Sequence, residues 1–256
     1  MAELTKYLNV INGELKPANS GQWIESINPA TGEVVGLVPD SDESDVNEAV
    51  AAARAALPAW RSMPAQQRTF ILRQIGQQMA QYGEELAKLE TLDNGRLLKE
   101  NIQRAGIGMS FSWQAAAGQT MEATIGKSAN FDPVTYGYTL REPYGVVAVI
   151  TPWNAPVAMM TQKMSLALAA GNTVVVKPAE VACMAVLRCA EILSKMLPPG
   201  VINFVSGLGQ KTGVPLVRHR GVNKITMTGS STTGKAIQRE SADNLTTSIL
   251  ELGGKS

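Results

Sequence analysis

The sequence predicts an α/β fold: a parallel sheet with helices on both faces, preceded by an N-terminal strand pair and a layer of three helices. Three observations carry that expectation. From Gly145 onward short apolar runs alternate with helical segments in a regular rhythm. Those runs are continuously apolar rather than alternating, as strands are when a sheet is covered on both sides. From Asp42 to about Ala117 the apolar residues recur every third or fourth position, which is the helical period.

The elements follow in order. WIESI and EVVGLVP, on either side of NPATG, read as two strands joined by a turn. DESDVNEAVAAARAALPAW is a helix from Asp42, limited by Pro58. A second helix begins near Pro64, where proline suits a first turn, and runs to Leu92 with Asn94-Gly95 as its stop. A third spans about Leu97 to Ala117. VTYGYTLREPYG, rich in aromatic and β-branched residues around Gly137, is extended. Then come the strand GVVAVI, the helix Val157–Ala170, the strand TVVVK and the helix Val181–Leu197. VINFV, a short helix over Thr212–Val217, KITMT, a helix over Thr233–Ala242 and the strand SILEL complete the series. There is no internal repeat and no low-complexity segment.

At 256 residues and 45% apolar content the chain can bury a real core. Charged residues are 18% and mean hydropathy is −0.02, which excludes both disorder and a membrane-embedded protein. The longest apolar stretch, Val157–Ala170, is interrupted by Gln162 and Lys163 and is too short for a bilayer. Twenty-three basic residues against 22 acidic give a net charge of +1, so no nucleic-acid partner is expected. MAELTKYLNVING, with Glu3 and Lys6, has no apolar signal core, and a cytoplasmic location is expected.

Two cysteines and one histidine exclude structural zinc, which needs four ligands. Cys183 and Cys189 lie six apart within one expected helix, roughly 9 Å along its axis, too far for a disulfide. Both read as helix core, and His219 reads as a loop residue.

Ligands of such sheets bind beyond the carboxyl ends of the strands. Small, polar and ionisable residues gather at those ends: Thr151–Asn154, Lys177–Glu180, Ser206–Gly209, Gly229–Gly234 and Glu251–Gly254. Gly207-x-Gly209 is followed by Gly213, one residue late for a dinucleotide fingerprint. The segment from Gly229 to Lys235 fits a P-loop until Ala236, where the Mg²⁺-holding hydroxyl is required. Gly229 and Ser230, opening a helix, still favour a phosphate oxygen. Lys177 and Glu180 can each bond a ribose hydroxyl, and the carboxylate would repel an added 2′-phosphate. NAD is therefore expected over NADP.

REPYGVVAVITPWNAP, NTVVVKPAE, PPGVINFVSGLG, ITMTGSSTTG and ELGGKS, in that order, resemble the NAD(P)-dependent aldehyde dehydrogenases. The resemblance covers essentially the whole chain. It implies a Rossmann-like fold in three parts: 1–123 as N-terminal strands and helices, 124–142 as an extended oligomerisation hairpin, and 143–256 as the NAD-binding βα units. It implies a small-molecule aldehyde substrate, and a homo-oligomer (dimer or tetramer) when full length. It implies that Asn154 meets the oxyanion of a cysteine thiohemiacetal and that Glu251 is the general base activating water. Ile150, Thr151, Pro152 and Trp153 would line the cofactor channel, and Lys177 and Glu180 would hold the adenosine ribose. Gly209 would admit the adenine side, Gly229, Ser230 and Thr233 would lie at the pyrophosphate, and Leu252 at the nicotinamide. As a carboxylate at a buried strand end, Glu251 is expected to have a raised pKa, which suits a base. Ala155, Met159 and Gln162 suggest a wide aldehyde pocket, because the family often has an aromatic residue directly after the asparagine.

The family's nucleophilic cysteine lies beyond ELGG, and the sequence ends at Ser256. Residues 1–256 are accordingly expected to be an N-terminal part that is inactive alone, with Leu250 and Leu252 left uncovered. The alternative is a non-catalytic module that binds NAD or joins subunits through Tyr136–Leu140.

Overall fold

A computed structural model describes residues 4–255; Glu3 and Ser256, used in reading the sequence, lie outside them. The chain begins with β1 (Asn9–Ile11) and β2 (Glu14–Lys16), then the antiparallel pair β3 (Trp23–Ile27) and β4 (Val34–Pro39). The helical layer follows: α1 (Glu43–Ser62), α2 (Ala65–Met79), α3 (Gly83–Asn94), α4 (Leu98–Asn101) and α5 (Met109–Gln119). A hairpin of β5 (Ser128–Asn130) and β6 (Tyr136–Tyr138) leads to the βα series. That series is β7 (Val146–Ile150), α6 (Pro156–Ala169), β8 (Thr173–Lys177), α7 (Met184–Ser194) and β9 (Ile202–Phe204). It ends with α8 (Val214–Arg218), β10 (Lys224–Gly229), α9 (Ser231–Ser241) and β11 (Thr247–Leu252).

The central sheet has seven strands in the order β11-β10-β7-β8-β9-β1-β2. Five are parallel, as expected, and β1 and β2 extend the far edge antiparallel. These two strands of three residues were not foreseen; Leu8, Asn12 and Gly13 left no period long enough to recognise. Buried side chains fall into two clusters. Val147, Val149, Val174 and Val176 pack with α2, α3, α5, α6 and α7. Val146, Ala148 and Val175 face the other way, toward Val46, Ala49, Val50 and Ala53 of α1 and Ile237 of α9. Consecutive valines thus serve opposite faces, which is why the strands read as unbroken apolar runs.

Four of the expected helices differ from expectation. Pro58 does not end α1, which continues to Ser62. Pro58 is exposed, so the carbonyl it leaves unpaired can meet water, while Trp60 is buried and anchors the last turn. The second helix is broken at Ala80–Tyr82 by a 3₁₀ turn. The break brings Gly83 against Gly106, where a Cβ on Gly83 would lie 2.6 Å from the Gly106 Cα. The third is π-helical from Ile102 to Gly108. Last, α7 starts at Met184, so Cys183 is its N-cap residue and not mid-helix. The Met184 amide donates to Asp93 Oδ2 at 2.8 Å, and this carboxylate from α3 fixes where the helix begins.

Candidate functional site

The sheet register sets the site. Ile150 pairs with Lys177 on one side and Met227 on the other, so β7 and β8 finish level and β10 runs two residues further. Beyond Met227, Thr228 pairs with Glu251 and Gly229 with Leu252. The strand-end segments from β7, β8, β10 and β11 therefore share one edge of the sheet, and Gly209 follows β9 on the same side.

At the centre Thr151 and Lys177 are buried. The Lys177 Nζ lies 2.9 Å from Glu180 Oε2, with Lys177 4% exposed and the Glu180 side chain 34% exposed. Burial would raise the Glu180 carboxyl, but the Lys177 ammonium outweighs it and holds the pKa below the usual range, with help from the Gly209 amide. Lys177, Glu180 and Gly209 are thus brought together, and a Cβ on Gly209 would meet open space. Two buried hydroxyls at this edge, Thr151 Oγ1 and Thr228 Oγ1, have no partner among the described residues and retain bonding capacity. On β10 and α9, Ser230 is the N-cap and its Oγ accepts from the Thr233 amide at 3.1 Å, while Gly229 ends the strand. The five-site edge, its free hydroxyls and the cation fit a dinucleotide.

The loop after β7 carries Pro152, Trp153 and Asn154, and both Trp153 and Asn154 are exposed. Glu251 and Leu252 are exposed too. The expectation that Glu251 is buried is corrected here: β11 is the edge strand among the described residues, and Glu251 on it is exposed. Leu250 is likewise half-buried against the core, whereas Ile249 and Leu252, 52% and 43% exposed, are the open apolar side chains of that strand. Ala155 is 4% exposed, whereas Met159 is half-buried and Gln162 exposed.

Sequence reasoning missed four residues. Lys163 Nζ donates to Thr226 Oγ1 at 3.2 Å; burial lowers its pKa and the nearby Glu251 carboxylate opposes that. A lysine interrupting the apolar run of α6 was the available signal. Asn94 and Arg96 donate to the carbonyls of Trp153 and Asn154, at 3.3 and 2.9 Å. Asn94-Gly95 reads only as a helix stop, and indeed Gly95 closes α3 with φ of 73°. Glu90, fully buried, accepts from the Val157 amide at 3.3 Å; it lies four residues after Leu86, on the buried face of α3.

Burial pushes the Glu90 carboxyl up to about 7 and that of Asp93 up to about 6. Both hold their protons more tightly folded than unfolded. Their benefit to the fold is complete below the unfolded value of roughly 4.3 and is lost as pH rises through the folded value. Glu90→Gln keeps an acceptor for Val157 without the charge. Relative to the parent, it should gain up to about 3 kcal/mol of stability between pH 4.5 and 7.5. Urea unfolding at both pH values checks this; a difference that does not change with pH would contradict it.

Comparison with known proteins gives a consistent result. The model of the aldehyde dehydrogenase family matches residues 16–256. An aldehyde dehydrogenase of Rhodospirillum rubrum is 37% identical over 251 residues, 98% of this chain and 49% of that protein. A phenylacetaldehyde dehydrogenase of Pseudomonas fluorescens is 40% identical over 96% of this chain and 51% of its own length. Among solved structures, HpcC from Thermus thermophilus superposes with a TM-score of 0.96 at 38% identity, over 98% of this chain and 49% of that one. The NAD⁺ complex of an aldehyde dehydrogenase from Bacillus cereus gives 0.95 at 37% identity, over 98% and 52%. The chain spans about half the length of the curated relatives it matches.

Proposed function

The chain belongs to the aldehyde dehydrogenase family, and on that premise we propose that it carries the NAD-binding part of an enzyme oxidising an aldehyde to a carboxylic acid. The observation that carries the proposal is the shared sheet edge, where Lys177, Glu180 and Gly209 meet beside the free hydroxyls of Thr151 and Thr228. Lys177 and Glu180 would hold the adenosine ribose, and Gly209 leaves room for the adenine side. Gly229, Ser230 and Thr233 would lie at the pyrophosphate; Ile150, Thr151, Pro152 and Trp153 would line the channel toward the nicotinamide, with Leu252 at its end. Bound NAD supplies a hydride acceptor. The negative Glu180 disfavours a 2′-phosphate, hence NAD over NADP.

In the reaction itself, the Asn154 side-chain amide, exposed on its loop, would donate to the oxygen of the aldehyde as negative charge develops. Glu251 would take a proton from water. The nucleophile is neither Cys183 nor Cys189, since both are fully buried. The whole enzyme's substrate, its cytoplasmic location and its assembly belong to the same proposal. The β5–β6 hairpin supports a subunit contact, because Phe131, Val134, Tyr136, Tyr138 and Leu140 are all exposed on it. The same buried cysteines favour a second reading, a non-catalytic module that binds NAD or a subunit.

Lys177→Ala should weaken NAD binding by roughly 1–2 kcal/mol, the scale of a hydrogen bond to a charged group. Glu180→Gln should narrow the gap between NAD and NADP. Calorimetry giving parental affinities for both variants would sink the ribose assignment.

A further inference from the structure

The first turn of α6 has no cap of its own. Ala155 stands at the N-cap with no side chain to offer, and Pro156 follows. Its partners come from α3 and the turn after it. Glu90 Oε2 accepts from the Val157 amide at 3.3 Å, Asn94 Nδ2 donates to the Trp153 carbonyl at 3.3 Å, and Arg96 Nη1 donates to the Asn154 carbonyl at 2.9 Å. One stretch of seven residues therefore holds the loop at three backbone points spaced over Trp153–Val157.

The holder is itself braced. The Arg96 amide donates to Asn94 Oδ1 at 3.0 Å, and Arg96 Nε lies 3.0 Å from Glu100 Oε2, which fixes the guanidinium plane. Gly95, at φ of 73°, turns the chain between them, and a Cβ there would meet the Pro29 ring at 2.8 Å. Among the described residues Asn154 is held through its carbonyl alone, and the residue is exposed.

We propose that Glu90, Asn94 and Arg96 are positioning residues for Asn154, setting the direction in which its side-chain amide is presented; the inference rests on the reading above only in taking Asn154 as the group that meets the aldehyde oxygen. None of the three touches the reacting atoms. Each acts through the backbone of the loop. Truncating one frees a carbonyl or an amide at the start of α6 and lets the loop sample other orientations.

The test is amide hydrogen exchange over residues 153–159 of the 256-residue protein, read beside the emission of Trp153 after subtraction of a Trp153→Phe control. Arg96→Ala, Asn94→Ala and Glu90→Ala should each speed exchange in that segment about tenfold, with the amides of β7, β8 and β9 unchanged. Arg96→Lys and Glu90→Gln, which keep a donor or an acceptor, should restore much of the protection. No local change in the alanine variants, an increase spread evenly over the sheet, or failure of the conservative variants to protect would overturn the proposal. Exchange needs neither NAD nor aldehyde. Failure of the functional reading would show instead as absent NAD binding in the calorimetry, with the local loosening intact.

Discussion

Residues 1–256, mixed alone with NAD and an aldehyde, are expected to form no NADH. The reaction needs a thiolate to attack the carbonyl carbon, and only then can hydride leave the resulting adduct. Cys183 and Cys189 are each 0% exposed. Burial pushes the Cys189 thiol up to about 12 and raises that of Cys183 well above its ordinary value. Neither presents a thiolate at neutral pH, and Cys189 faces the core beneath α7 rather than the sheet edge. On the proposed reading Asn154 and Glu251 would supply an oxyanion donor and a base but no covalent step, so the effect is loss of the pathway, not a reduced rate. Absorbance of NADH is the readout. Steady turnover that survives the double variant Cys183→Ala/Cys189→Ala would contradict the cysteine mechanism. Turnover abolished by that variant would place the nucleophile among these two.

The second large effect is structural. Trp60→Ala should destabilise the chain by about 3–5 kcal/mol, the range for truncating a buried aromatic side chain. Trp60 is 1% exposed, and its indole Nε1 donates to the Leu168 carbonyl at 3.2 Å, in the last turn of α6. Arg68 Nε meets the neighbouring Ala169 carbonyl at 3.4 Å, so two residues of the helical layer satisfy the open end of α6. Loss of the indole leaves a cavity between α1 and the helix that carries Asn154 at its other end, and the Leu168 carbonyl keeps its bond from the Gly171 amide. Chemical denaturation measures the cost. A change under about 1 kcal/mol would mean that α1 ends near Pro58 in solution, as the sequence alone suggests.

The contrast between α1 and the βα series explains what could be read in advance. TVVVK and GVVAVI needed no tertiary information, because a strand buried on both faces has no polar alternative. The site edge followed from that, since strand ends in a parallel sheet share one side, and Lys177 with Glu180 is a pair of near neighbours. Pro58, by contrast, is decided by Trp60, and the start of α7 by Asp93, ninety-one residues earlier. The strand β1 is defined by pairing with β9, and β2 by pairing with β1, rather than by their own period. Glu90, Asn94 and Arg96 were hidden for the same reason: their partners are backbone atoms some sixty residues away, and no local pattern records such a contact. The expected burial of Glu251 failed in the other direction, because a strand end looks alike in sequence whether the strand is central or at the edge.

Whether the shared strand-end edge is where NAD binds can be mapped by amide hydrogen exchange on this chain, with and without the dinucleotide. Slower exchange is expected around Ile150–Asn154, Lys177–Glu180, Gly209 and Gly229–Thr233, with no change at the opposite ends of the same strands, near Gly145, Asn172 and Asn223. Protection concentrated at those opposite ends, or none anywhere at saturating NAD, would contradict that placement.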